Sequence, residues 1–352
     1  MVRVEGAKER VAGAPRPKLG DLSADGLYYW DGDIWQWQRL WLVPDEVVDA
    51  VRRCFARPVT AVHFLAAGLL NQSWRIDADE GASILRTSRP ERSRDQVAYE
   101  HALTRELNKH VDVVVPPLPG RDGETIQHWR GRILSLFPFV EGGSGVSMSA
   151  DDRGRQTATV LAHFHRASLA HVGFGQRPGF RAVDEHPRWI WSAVKPVLRQ
   201  DLDGTEDFDN LCRALDREIA VLDAWLDDLG ASGRLVPRAT VHGDFNPRNL
   251  IFRDNRLVAV IDWDDCRVEP IAWEVARAAF GETDIEPRAF WHAYLYAGGP
   301  LAPQDAELLG GFACIGALSE LKWTVKNGKA TPHAVEQVRE VAVALTRFGN
   351  GR

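Results

Sequence analysis

Hydrophobic and polar positions follow two different rhythms along this chain, and the change falls near Gly145. Before it, short β-rich runs dominate: "VTAVHFL", "QSWRIDA", "ASILRTS", then "DVVVPPL" and "RILSLFPFV". One helical stretch, "DQVAYEHALTRELNKH", separates the third run from the fourth. Runs of this length bounded by turn residues predict a mainly antiparallel five-stranded sheet with one inserted helix. Ahead of them, "PDEVVDAVRRCFA" puts Val47, Val48, Val51 and Phe55 on one helical face after a Pro-Asp start. Further upstream, "LYYWDGDIWQWQRLWL" crowds aromatic residues around an Asp-Gly turn and predicts a small hairpin packed on the main body. Residues 1–20 are polar and rich in Gly, Pro and Ala, which reads as a loosely attached tail. The clustered glycines of "FPFVEGGSG" suggest a hinge.

Beyond Gly145, apolar residues recur at three- and four-residue intervals. "DDRGRQTATVLAHFHRASLAH", "FDNLCRALDREIAVLDAWLDDLG", "EPIAWEVARAAF", "EPRAFWHAYLYAGG" and "DAELLGGFACIGALSELKWTVKN" all read as helices, with two or three short β segments among them.

Charge and composition narrow the function classes. The chain has 352 residues, 45% apolar and 26% charged, long enough for two domains or lobes. Forty-three Lys and Arg against 49 Asp and Glu leave a net charge of −6, which argues against a phosphate-neutralising nucleic-acid surface. The four cysteines show no C-x-x-C spacing, so neither a zinc site nor a disulfide framework is expected. The N-terminus lacks the apolar core of a signal peptide, and no apolar run is expected to approach the roughly 18 residues of a membrane span. The expectation is a cytoplasmic protein with reduced thiols and no nucleic-acid or membrane partner.

The densest chemistry is in "TVHGDFNPRNLIFRDNRLVAVIDWDDC". A loop with Asp244 and Asn249 leads into one strand, and a turn at Asp254-Asn255 brings the chain back to Asp262. Such a hairpin gathers two carboxylates and an amide oxygen into a hard site suited to Mg²⁺. One of the carboxylates can instead stay off the metal and accept a proton from an attacking hydroxyl. The plainer alternative is a polar turn between two buried strands.

The D-x-x-x-x-N spacing of Asp244 and Asn249 matches the catalytic loop of protein kinases, with Asp262 in the place of a metal-binding Asp. "HGDFNPRN" followed by "VIDWDD" resembles the aminoglycoside phosphotransferase/choline kinase family. The resemblance runs in order from about Val59 to Ala278. It implies an α+β, protein-kinase-like two-lobed fold, with an antiparallel-sheet N-lobe and a mainly helical C-lobe. On that reading residues 1–45 are an N-terminal extension with the aromatic hairpin, 46–141 the nucleotide-binding lobe, and 142–352 the catalytic and acceptor-binding lobe. It implies Asp244 as catalytic base, Asn249 and Asp262 as Mg²⁺ ligands, and ATP or GTP as phosphoryl donor. His242 and Glu274 support the loop, Glu274 standing where the family more often has Asp.

For the nucleotide, the resemblance points to Gly68, Asn71 and Ser73 around the phosphates. Arg86 stands where kinases place a Lys, with Glu100 on the next helix to orient it. Backbone groups across Phe137, Phe139 and Val140 would meet the adenine edge. His163 and His165, in "LAHFHRAS", read as packing or helix-anchoring residues.

The implied activity is transfer of the γ-phosphoryl group to a hydroxyl of a small molecule, of antibiotic or natural-product type: aminoglycoside, basic peptide, macrolide or nucleoside. The alternatives are a metabolite kinase acting on homoserine, choline or a methylthiosugar, and a kinase-fold binding protein without transfer. Acidic clusters ("DLDGTEDFD", "DWDDC", "GETDIE") would suit an amine-bearing acceptor, whereas Trp189, Trp191, Trp273 and Trp291 would suit a bulky one. Arg outnumbers Lys and Ala is abundant, as in high-GC genomes, which fits a resistance kinase and a housekeeping one alike.

Overall fold

The computed structural model describes residues 17–31, 36–66, 71–145, 147–180, 187–201, 206–281, 285–326 and 331–350. These divide into two compact units, one within residues 1–90 and 119–136, the other within 91–118 and 137–352.

The first unit is built on a five-stranded sheet in the order β3 (Ala61–Leu65), β4 (Gln72–Asp77), β5 (Ser83–Thr87), β7 (Arg132–Pro138), β6 (Gln127–Trp129). Strict alternation in β4 buries Gln72, Trp74 and Ile76 and turns Ser73 and Arg75 to the other face. The predicted aromatic hairpin is present as β1 (Tyr28–Asp31) and β2 (Gln36–Arg39), with Trp30 opposite Trp37. It packs where the sequence suggests, Tyr29 against Phe64 of β3 at 4.7 Å between ring centroids. Helix α1 (Pro44–Ala50) continues as a wider π turn, Val51–Phe55, and buries Val47, Val51 and Phe55.

One predicted strand is not there. "DVVVPPL" forms only isolated bridges, at Val114, which pairs with Val260, and at Leu118, and the fifth strand is β6 instead. Pro116 and Pro117 remove two ladder donors from the predicted run. β6 is three residues long, too short to show a period.

The second unit is mainly helical: α2 (Arg94–Asn108), α3 (Ala150–His171), α4 (Pro187–Asp201), α5 (Glu206–Ala231), α6 (Ile271–Phe280), α7 (Pro287–Tyr296), α8 (Ala306–Lys326) and α9 (Thr331–Asn350). Ser93 and Gln96 close a reciprocal capping box at the start of α2. One continuous apolar core runs from Tyr99 to Leu345. Two two-stranded sheets complete the unit: β8 (Arg238–Val241) with β11 (Arg267–Pro270), and β9 (Leu250–Arg253) with β10 (Arg256–Val260). That is four strands where two or three were expected.

The segment 303–326, ending in α8, is long and apolar enough to cross a membrane, with mean hydropathy 1.2, although no such run stood out in the sequence. Just over half of it (56%) is buried within the protein, as befits a core helix. The glycines read as a hinge are held in place. Gly143 exchanges both backbone hydrogen bonds with Phe252. A Cβ on Gly142 would lie 2.5 Å from the Phe252 carbonyl, so glycine is required for close approach rather than for looseness.

Candidate active site

The site begins where β8 stops. β8 and β11 pair antiparallel, Val241 opposite Arg267, so the chain leaving β8 runs beside the chain entering β11. The contact is tight at Gly243, whose φ is +85° and whose missing Cβ would lie 2.1 Å from the Asp265 carbonyl oxygen. After a 3-10 turn at Pro247–Asn249, β9 and β10 form a hairpin closed by Asp254 and Asn255, both left-handed. That conformation is what a two-residue hairpin turn requires. The Ile261 N–H then donates to the Asn249 carbonyl at 2.9 Å, bringing Asp262 out beside Asn249. Asp262 is exposed and itself left-handed, at φ 60° and ψ 66°. A non-glycine residue held there stores backbone strain of the kind that clusters at functional sites.

Asp244 and Asn249 are joined directly. Asn249 Nδ2 donates to the Asp244 main-chain oxygen and to Asp244 Oδ2, both at 2.9 Å. His242 makes hydrogen bonds on both ring nitrogens. Its Nε2 donates to the Ile261 carbonyl at 2.9 Å, and its Nδ1 accepts from the Asp244 N–H at 3.3 Å, which fixes the tautomer. Glu274, on α6, accepts from the N–H groups of His242 (3.1 Å) and Gly243 (2.6 Å). His165 joins it from α3 at 2.9 Å, with its other ring nitrogen 2.9 Å from the Tyr294 hydroxyl. Burial would raise the Glu274 carboxyl. The hydrogen bonds from His165 and from the Gly243 N–H hold it below the usual glutamate value. His165 is therefore a buried anchor, whereas its neighbour His163 is exposed on α3.

The turn after Asp262 is held from below by residues the sequence reading did not single out. Asp264 is buried and paired with Arg92, whose Nη2 also donates to the Asp264 carbonyl at 2.7 Å. Arg177 donates to the same carbonyl at 2.6 Å and to the Gln96 carbonyl at 2.8 Å. Its Nη2 lies 3.8 Å from Glu100, itself 1% exposed. Burial pushes the adjoining Cys266 thiol up to about 12. These partners stand more than 80 residues from the turn in sequence and leave no local spacing signal.

In the first unit, Ser73 and Arg86 are directly opposite on β4 and β5, with Arg86 only 8% exposed. Asn71 Oδ1 accepts from the Arg89 N–H at 3.2 Å, tying the start of β4 to the end of β5. Gly68 lies outside the described residues. In the second unit, Phe137 meets His101 edge-on at 5.9 Å between ring centroids, and Phe139 and Val140 are half-buried. Three of the four tryptophans considered for a bulky acceptor, Trp191, Trp273 and Trp291, belong to the core, leaving only Trp189 exposed. Of the acidic clusters, Asp264 is buried and paired with Arg92, and Asp209 lies 3.7 Å from Arg199. Residues 202–205 of "DLDGTEDFD" and 282–284 of "GETDIE" lie outside the described residues.

For a metal, no cluster of three or more His, Cys, Asp and Glu occurs among the described residues. The candidate donors are instead one carboxylate, Asp262, and one amide. Asn249 turns its Nδ2 toward Asp244, which leaves Oδ1 free to face elsewhere. Hard oxygen donors of this kind fit a small divalent cation that keeps several waters.

The profile of the phosphotransferase enzyme family matches residues 61–308. The chain belongs to that family. Among curated relatives, it is 24% identical over 226 residues to a homoserine kinase of Zymomonas mobilis subsp. mobilis, covering 60% of this chain and 62% of that protein. A homoserine kinase of Caulobacter vibrioides is 26% identical over 214 residues, with 60% and 62% covered. The chain thus spans less than two thirds of the length of these relatives. Among solved structures, an amicoumacin kinase in complex with AMP-PNP, Ca²⁺ and its ligand superposes with a TM-score of 0.63 at 11% identity, covering 86% of this chain and 92% of that one. A microcompartment-associated aminopropanol kinase gives 0.62 at 21% identity, with 85% and 94% covered. These likenesses show the family's protein-kinase-like α+β fold.

Proposed function

We propose that this protein is an ATP- or GTP-dependent O-phosphotransferase acting on a small-molecule hydroxyl. The observation that carries the reading is the Asp244–Asn249 hydrogen bond at 2.9 Å, with Asp262 delivered beside Asn249 by the Ile261–Asn249 backbone bond. In the reaction, the acceptor oxygen attacks the γ-phosphorus and the β,γ-bridging P–O bond breaks. The nucleoside diphosphate leaves, and the hydroxyl proton passes to the Asp244 carboxylate. Asn249 and Asp262 would hold Mg²⁺, which when bound neutralises charge on the phosphate oxygens. Arg86, Ser73 and Asn71 are assigned to the nucleotide phosphates, and the Phe137–Val140 backbone to the base. Positioning and preorganised electrostatics then account for most of the rate.

The acceptor proposed first is an antibiotic or natural product. A metabolite acceptor is the second reading, favoured by two observations: the homoserine kinase matches, and the burial of Trp191, Trp273 and Trp291, which leaves little aromatic lining for a bulky ligand. The test is magnesium-dependent ATP and GTP consumption across pooled aminoglycosides, basic peptides, macrolides, nucleosides, homoserine, choline and amino alcohols. Acceptor-dependent turnover that Asp244→Ala abolishes, with nucleotide binding retained, is the expected result. Nucleotide binding without turnover in any pool would favour a binding protein on the kinase fold.

A further inference from the structure

The fold treats the two carboxylate oxygens of Asp244 differently. Oδ2 accepts from Asn249, while Oδ1 lies 3.6 Å from Arg277 Nη2. Arg277 stands on α6 one turn after Glu274, so the helix that holds the loop's N–H groups also reaches a carbonyl: Arg277 Nη1 donates to Gly243 O at 2.7 Å. Several contacts set its position. The guanidinium lies over the Trp273 ring, 5.1 Å from its centroid. Its stem crosses α8 at Gly316, where a Cβ would come within 2.7 Å of Arg277 Cγ. Glu320 Oε2 lies 3.5 Å from the same Nη2.

We propose that Arg277 is a positioning residue for phosphoryl transfer, fixing the Gly243 carbonyl and presenting Asp244 Oδ1 as the oxygen that takes the acceptor proton. This rests on the reading of Asp244 as the base. A carboxylate held at one oxygen can still turn about its broad terminal torsion, and a second contact restrains it. At 3.6 Å Nη2 attracts Oδ1 without making a full hydrogen bond, so the lone pairs of Oδ1 stay open to an incoming O–H. Glu320 shares the same Nη2 at 3.5 Å and so competes with Asp244 for it, which works against a tight Arg277–Asp244 ion pair. Asn249 selects the oxygen, and Arg277 aims it.

The test needs no identified acceptor: slow hydrolysis of MgATP by water in the full chain, with MgADP affinity and thermal midpoint measured alongside. Arg277→Met is expected to lower kcat roughly ten- to a hundredfold with KM for ATP within about twofold, and Arg277→Lys to recover part of the loss. Gly316→Ala, pressing on the Arg277 stem, should lower kcat on its own yet add nothing to Arg277→Met. If Asp244→Asn is inactive while Arg277→Met matches wild type, this inference fails and the base reading stands. A parallel fall in MgADP affinity and thermal midpoint in Arg277→Met would overturn it as well, reducing Arg277 to a structural residue. So would a Gly316→Ala loss that persists without Arg277. Equal rates for wild type and Asp244→Asn, at any level, remove the base reading and this inference with it.

Discussion

Gly243 shows how narrowly the loop is specified at the scale of one residue. Its φ of +85° and its closeness to the Asp265 carbonyl leave no room for a side chain. Gly243→Ala should therefore destabilise the protein by at least about 1–3 kcal/mol, read from urea unfolding, and lower turnover more than stability alone explains. Asp262 is also held in a left-handed conformation, and its test is binding. Asp262→Ala should weaken nucleotide binding in magnesium but change little in EDTA, by titration calorimetry. If affinity and its metal dependence both survive the change, Asp262 does not hold the metal. Asp244, Asn249 and Asp262 were all legible in the sequence, because their spacing within one hairpin is itself the signal. Arg277, the one arginine of α6, was not, since nothing in the sequence marks that it faces the loop until α6 is docked.

At the scale of elements, α6 is the platform. Glu274 collects two loop N–H groups and His165, and this holds its carboxyl below the ordinary glutamate value of 4.5 despite full burial. A carboxyl lowered on folding contributes stability that is complete above its unfolded value and lost as pH falls through its folded value. Glu274→Gln should cost about 3–5 kcal/mol at neutral pH, as expected for breaking a buried pair. Its stability should also decline less steeply than wild type between about pH 5 and 3, followed by urea unfolding at each pH. The helices α3, α5, α6, α7 and α8 follow the apolar spacing closely. α4 was not among the helices expected from the sequence, and it carries Pro196 in its interior. Burial of Ile190, Trp191, Val194 and Leu198 on one face holds α4 together regardless. The reading also passed over α9, although Val338, Val341 and Leu345 carry helical spacing.

For the whole molecule, burial decides which groups are chemically available. Desolvation pushes the thiols of Cys266 and Cys314 up to about 12, so both should resist disulfide reagents in the native state at mildly alkaline pH. Mass spectrometry after labelling should find the half-buried Cys54 modified first, and Cys266 and Cys314 only after urea is added. Early labelling of Cys266 would mean that the turn beneath Asp262 opens readily. The sequence by itself determined the family, the α+β class and the candidate hairpin of Asp244, Asn249 and Asp262, because each of these is written in the spacing of neighbouring residues. Tertiary structure alone decided which tryptophans are core, that the "GGSG" glycines are pinned against Phe252, and that Arg92, Arg177 and His165 reach the site. Arg277 belongs with them, the residue assigned here to aim the base. The reason is physical: these contacts join elements dozens to more than 150 residues apart, and packing specifies them by shape and charge rather than by any interval along the chain.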